Sequence, residues 1–135
     1  MLRIEHASIT FNKGTVNERK ALRDFNYHMD KGDFVTVLGS NGAGKSTLMN
    51  AISGSYALDK GHIFLEGQDI TPLREYKRAK FIGRLFQDPL RGTAPSMTIE
   101  ENLGLAYSRG KKRSLSIGIS RKETELFREK LAQLD

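Results

Sequence analysis

Apolar and polar positions mix with strand-like spacing from Leu2 to Phe11, with Ala7, Ile9 and Phe11 on one side, and a second such run carries Phe25, Tyr27 and Met29. Successive side chains of a strand point to opposite faces, so both runs predict half-buried strands. Residues 12–19 between them are polar, include Gly14, and predict a loop. The turn Asp30-Lys31-Gly32-Asp33 then leads into Phe34-Val35-Thr36-Val37-Leu38, a short apolar run rich in β-branched residues. Such a run predicts a strand of a buried parallel sheet.

Past a glycine-rich stretch, residues 47–53 suit a helix with Leu48, Ala51 and Ile52 apolar, and Gly54 stands where a left-handed C-terminal residue is wanted. Ile63-Phe64-Leu65 followed by Glu66-Gly67 predicts a short strand entering a turn. Pro72 can open a helix running through Arg74 to Lys80, and residues 82–86 predict another strand, ending at Gln87-Asp88-Pro89. Thr98-Ile99-Glu100-Glu101 and Ser120-Arg121-Lys122-Glu123 both match the capping box, in which hydroxyl and carboxylate satisfy each other's backbone donors, so each predicts a helix start. The second helix places Leu126 or Phe127, Lys130 or Leu131, and Leu134 at three-to-four spacing, a stripe that wants a partner surface. The stripe runs into Asp135 with no C-cap signal.

Composition narrows the classes. The length of 135 residues is that of one ordinary globular domain. Cysteine is absent, which removes disulfides and thiolate metal sites and is compatible with a reducing compartment. The first residues interleave charge with apolar side chains, unlike a signal peptide, and no apolar run approaches membrane-spanning length. A net charge of +6 is compatible with nucleic acid, an anionic membrane face or a phosphorylated ligand, and Arg109, Lys111, Lys112 and Arg113 supply much of it in what reads as a solvated loop.

The chemistry concentrates in Gly39-Ser40-Asn41-Gly42-Ala43-Gly44-Lys45-Ser46-Thr47, a match to G-x-x-x-x-G-K-[ST] placed after a predicted strand and before a predicted helix. Glycine permits positive φ and lets backbone N–H groups approach phosphate oxygens with no side chain in the way. The helix opening near Ser46 adds the positive end of its dipole. Lys45 sets a compact cation against the outer phosphates, and the Ser46 hydroxyl suits the magnesium that bridges them. By average residue usage a chance match is expected in only on the order of one in a few hundred chains of this length.

The longer stretch GSNGAGKST, with Asn-Gly-Ala inside the loop, resembles the Walker A motif of ATP-binding cassette (ABC) transporter ATPases more than that of small GTPases or nucleotide kinases. Ala21-Leu22-Arg23-Asp24-Phe25 with the Lys-Gly-Asp turn resembles the family's approach to this loop, and Lys60-Gly61-His62-Ile63 through Gly67-Gln68-Asp69-Ile70 resembles its small antiparallel subdomain. The resemblance implies a P-loop NTPase (RecA-like) α/β fold, truncated: an antiparallel β subdomain (1–31 and 62–80), a P-loop core (33–54 and 81–88) and the start of a helical subdomain (89–135). It implies ATP and Mg2+ as cofactors, with residues 39–47 as the nucleotide cradle. Phe11 stands where the family keeps an aromatic, usually tyrosine, that stacks on adenine; a phenyl ring can stack but lacks the hydroxyl. Gln87, in Leu85-Phe86-Gln87-Asp88-Pro89, matches the Q-loop, whose glutamine reaches metal and attacking water. An amide can coordinate and donate at once. Lys45 and Gln87 are thereby the catalytic candidates, and Ser46 and Gln87 the metal candidates.

The family's LSGGQ signature, its Asp-Glu-ended apolar strand and its switch histidine have no counterpart in this sequence, and His6, His28 and His62 all lie away from the switch position. The chain therefore resembles the first half or so of such a subunit and is expected to bind ATP without hydrolysing it efficiently by itself. The implied function is the ATP-binding part of a transporter, a bacterial small-solute importer being the nearest likeness. The implied location is peripheral, on the cytoplasmic face of the plasma membrane. The implied partners are transmembrane permease subunits, through the segment after Gln87, and a second ATPase subunit; nucleic acid is not expected. Two alternatives stand beside this: a soluble ABC ATPase acting on the ribosome or DNA, for which the basic loop offers a contact, and another P-loop NTPase.

Overall fold

The alternation of the first thirty residues becomes an antiparallel pair, β1 (Leu2–Phe11) and β2 (Arg19–Met29), joined by the polar loop. The computed structural model describes residues 1–86, 88–109 and 118–134 and divides into two units, Met1–Arg78 and Ala79–Asp135.

In the first unit, β3 (Lys60–Leu65) pairs with the other edge of β1, and the short β4 (Gln68–Asp69) pairs with β3, giving an antiparallel sheet in the order β2-β1-β3-β4. Leu2, Ile4, Ala7 and Ile9 of β1 are buried. These positions are even, then odd, so strict alternation is broken once. The break is a pair of bulges: the register shifts between Ile4 and Ala7, where His6 has φ 50° and, on β2, Asp24 has φ 48°. One extra residue returns the apolar set to the same face. Side chains occupy the interrupted ladder there, with Asn26 Oδ1 accepting from His6 N at 2.9 Å and Ser8 Oγ accepting from Asp24 N at 3.1 Å. Gly61 answers the same irregularity from β3: it has φ 90°, and a Cβ there would lie 2.3 Å from the Glu5 carbonyl oxygen.

Helix α1 (Lys45–Ser53) packs against β2 and buries Leu48 and Ala51. Gly54 takes the left-handed conformation, φ 88°, expected of its C-terminal cap. The helix that Pro72 was expected to open is shorter than predicted, a single turn, α2 (Glu75–Arg78).

The predicted strands at 34–38 and 82–86 do not form: both segments are irregular, and residues 34–38 are exposed. Strand propensity is not sufficient for a parallel strand, whose ladder bonds must come from parallel neighbours; the ladders among the described residues are all antiparallel.

In the second unit, a 3-10 turn (Pro89–Arg91) precedes α3 (Ile99–Tyr107) and α4 (Arg121–Leu131). Both predicted capping boxes are present, Thr98 with Glu101 and Ser120 with Glu123. The two helices pack through an edge-to-face contact of Tyr107 and Phe127, centroids 5.7 Å apart, so the stripe on α4 meets α3 through Phe127, while Leu134 remains exposed. No helix of the described residues is long and apolar enough to cross a membrane.

Candidate functional site

The glycine-rich segment folds as a tight loop closed by Ala43 N donating to Ser40 O at 3.2 Å, and it enters α1 directly at Lys45. Its N-cap is Gly44, φ 91°, with no side chain capping the helix and no acidic residue in the first turn. The first N–H groups of a helix have no intrahelical acceptor, so this end presents donors and a positive dipole to an anion.

Gly44 is needed for two reasons. Its φ lies in the left-handed region, and a Cβ would come within 2.7 Å of the Ala21 carbonyl oxygen on β2. The loop is therefore pressed against the sheet with no room for a side chain. Gly42 also has positive φ, and its carbonyl accepts from Arg19 Nη2 at 2.5 Å.

Lys45 turns back over the loop. Its Nζ donates to Gly39 O at 2.5 Å and to Ser40 O at 2.8 Å. An ammonium with three donors held by two neutral carbonyls places a cation at the loop, an arrangement compatible with an anionic ligand. Ser46 follows with its residue exposed, in the first turn of α1, and Thr47 is half-buried. Among the described residues no cluster of three or more His, Asp or Glu could hold a metal ion.

A cavity of about 270 Å³ lies against the inner side of the loop, its walls including Leu22, Phe25, Val37, Leu38 and Leu48 beside Gly44 and Lys45. Arg23 joins Lys45 in that lining, so the cavity is mixed in character, with apolar and cationic walls side by side.

Phe11 ends β1, half-buried, with its ring edge-to-face on Tyr56 at 5.4 Å between centroids. Gln87 lies outside the described residues, as do Lys111, Lys112 and Arg113 of the basic loop. The structure thus brings Gly39, Ser40, Asn41, Gly42, Ala43, Gly44, Lys45, Ser46 and Thr47 together as one loop-and-helix unit, with Phe11 in the same compact unit of the chain.

Two residues that sequence reasoning passed over support the loop. Arg19, read only as the end of a polar loop, holds Gly42. Arg78 is 2% exposed and holds the far end of α1: its Nη1 donates to Ala51 O at 2.8 Å and Ile52 O at 3.0 Å, its Nε to Leu73 O at 2.8 Å, and its Nη2 to Thr71 O at 2.9 Å. Burial pulls its guanidinium below the usual value and Asp69 pushes it back. The carbonyl end of α1 is the negative pole of the dipole, a favourable place for that cation. A lone arginine in a polar segment gives no sequence signal of such a role.

Known proteins share this arrangement. A family profile described as ABC transporter matches residues 22–135. The tyrosine transport ATP-binding protein of Clostridioides difficile is 44% identical over 111 residues, 82% of this chain and 44% of that protein. A probable branched-chain amino acid transport ATP-binding protein of Archaeoglobus fulgidus is 43% identical over 89 residues, 64% of this chain and 34% of that protein. Among solved structures, a nucleotide-free ATP-binding cassette from an ABC transporter superposes with a TM-score of 0.67 at 31% identity, covering 96% of this chain and 46% of that one. The chain thus spans less than half the length of these relatives. The profile match over most of the chain, together with the cassette fold, makes this chain a member of the ABC transporter family of ATP-binding proteins.

Proposed function

We propose that residues 39–47 cradle the phosphates of MgATP, and that this chain supplies the nucleotide-binding loop of a transporter's ATPase subunit, that of a bacterial importer of small, amino-acid-like solutes. The observation that carries the reading is the Lys45 ammonium folded onto the Gly39 and Ser40 carbonyls at the uncapped head of α1. Backbone N–H groups of the loop hold the phosphate oxygens, Lys45 neutralises the outer phosphates, the Ser46 hydroxyl ligates the metal, and Phe11 stacks on the base. Magnesium, when bound, supplies charge neutralisation between the outer phosphates. Gln87 is the further metal and water ligand of this reading, and the segment after it meets permease subunits at the cytoplasmic face of the membrane. A second ATPase subunit completes the site in the whole protein. The division into an antiparallel part, a P-loop core and the start of a helical part belongs to the same reading.

For these residues the reading is nucleotide binding, since the loop, Lys45 and Ser46 supply phosphate and metal contacts. The amino-acid-like solute of this reading is supported by two relatives named as amino acid transport ATP-binding proteins. Isothermal titration of the chain with MgATP tests the site. Heat is expected from the wild type and none from Lys45→Ala, whose circular dichroism should match the wild type. Unchanged affinity in that variant would falsify the cradle.

A further inference from the structure

The base and the outer phosphates of a nucleotide are joined by one short sugar–phosphate chain, so a site that uses both must hold Phe11 within that reach of Lys45. Phe11 is the last residue of β1, where strands fray, and needs something to hold it. Two connections do so. Its ladder partner on β2 is Arg19, the residue whose guanidinium holds Gly42 of the loop. The other connection is the segment between α1 and β3.

That segment is tied at both ends. Tyr56 N donates to Asn50 O on α1 at 3.1 Å, and the Tyr56 ring meets the Phe11 ring at 76° between planes, in edge-to-face contact. Three residues later, Asp59 N donates to Ser8 O at 2.8 Å, and its carboxylate accepts from Thr10 N at 2.6 Å and pairs with Lys13 Nζ at 2.8 Å. The contacts at Ser8, Thr10 and Lys13 bracket Phe11 along the chain. One segment therefore links the helix that starts at the phosphate loop to the strand end that carries the stacking ring.

We propose that Tyr56 is a positioning residue of the nucleotide site, its ring fixing Phe11 against a purine base while its backbone ties that ring to the phosphate-loop helix. This rests on the nucleotide reading above and adds to it the residue that sets the spacing between base and phosphate subsites. An edge-to-face partner restrains the Phe11 ring without needing a hydroxyl, so the ring of Tyr56 acts and its OH does not. Tyr56 is 40% exposed, so its loss leaves the core intact.

The experiment titrates the 135-residue chain with two probes, MgATP and magnesium tripolyphosphate, which has the phosphates and no base. Variants are Phe11→Ala, Tyr56→Ala, Tyr56→Leu, Tyr56→Phe and the Phe11→Ala/Tyr56→Ala double. Tyr56→Ala and Tyr56→Leu are expected to weaken MgATP about two- to tenfold, the size of an aromatic pair, and to leave tripolyphosphate unchanged. Tyr56→Phe should bind as the wild type, and the double variant no more weakly than Phe11→Ala, because one residue acts through the other. Wild-type affinity for MgATP in Tyr56→Ala, equal loss for both probes, loss in Tyr56→Phe, or additive losses in the double variant would each overturn the proposal while the phosphate site stands. A wild-type chain that binds neither probe overturns both readings.

Discussion

Arg19 Nη2 donates to the carbonyl oxygen of Gly42 at 2.5 Å, so the first residue of β2 grips the middle of the phosphate loop. The contact occupies the Gly42 carbonyl and restrains the loop at its middle. Arg19 is exposed, so removing it leaves no unfilled core. Arg19→Ala is expected to lower MgATP affinity about three- to tenfold, the equivalent of roughly 1 kcal/mol for one solvent-exposed hydrogen bond, with no change in melting temperature. Equal affinity in wild type and variant would show that the loop holds its shape unaided.

How far the sequence reaches is visible in what Arg19 supports. The loop, the head of α1, the Gly54 cap and both capping boxes were legible because each depends on residues within a few positions of one another. The bulges at His6 and Asp24 were not: the alternation from Ala7 to Phe11 reads as one continuous face, and nothing in Glu5-His6 marks the inserted residue. The strand expected at 34–38 failed for the complementary reason, that its residue types were right but a parallel strand depends on neighbours distant in sequence. Arg19 and Arg78 were illegible because their partners are backbone carbonyls, which every residue carries.

Arg78 joins the end of α1 to the chain around α2 through four carbonyls, those of Ala51, Ile52, Leu73 and Thr71. Replacing it with methionine keeps most of the bulk and removes every donor, so the part-buried carbonyls of Ile52, Leu73 and Thr71 lose this partner while Ala51 O keeps its bond from Gly54 N. Arg78→Met should destabilise the first unit by about 2–4 kcal/mol. Arg78→Lys should recover only part of this, because one ammonium cannot reproduce the planar fork. Urea unfolding followed by circular dichroism measures both; a methionine variant as stable as the wild type would mean that these bonds contribute nothing net.

Acid should loosen the first unit in a defined direction. Lys13's hydrogen bond, with help from Thr10, holds Asp59 below its ordinary 3.8, and Thr71, with help from His62, does the same for Asp69. A carboxylate whose folded value lies below its unfolded one contributes stability that is fully present above the unfolded value and is lost as pH falls through the folded one. The melting temperature is therefore expected to be flat from about pH 7 to about pH 5 and to drop below about pH 4. Asp59→Asn should melt lower at neutral pH and lose less on acidification. A variant with the same acid slope as the wild type would assign that slope to other groups.

The run Phe34-Val35-Thr36-Val37-Leu38 carries strand-forming residues without a strand, with Phe34 94% and Leu38 87% exposed. Val37 and Leu38 also wall the cavity beside the loop, so the run offers both apolar side chains and unpaired backbone groups. Exposed segments of this kind pair with other chains or with any apolar surface available. The chain in isolation is expected to bind a hydrophobic dye strongly and to associate as its concentration rises. Phe34→Ser/Leu38→Ser should reduce both effects, because it removes the two most exposed apolar side chains of the run and leaves the loop residues in place. Light scattering and dye fluorescence over a concentration series give the answer: identical curves for the two proteins would place the sticky surface elsewhere, and weak dye binding by the wild type would show that the run is covered in solution.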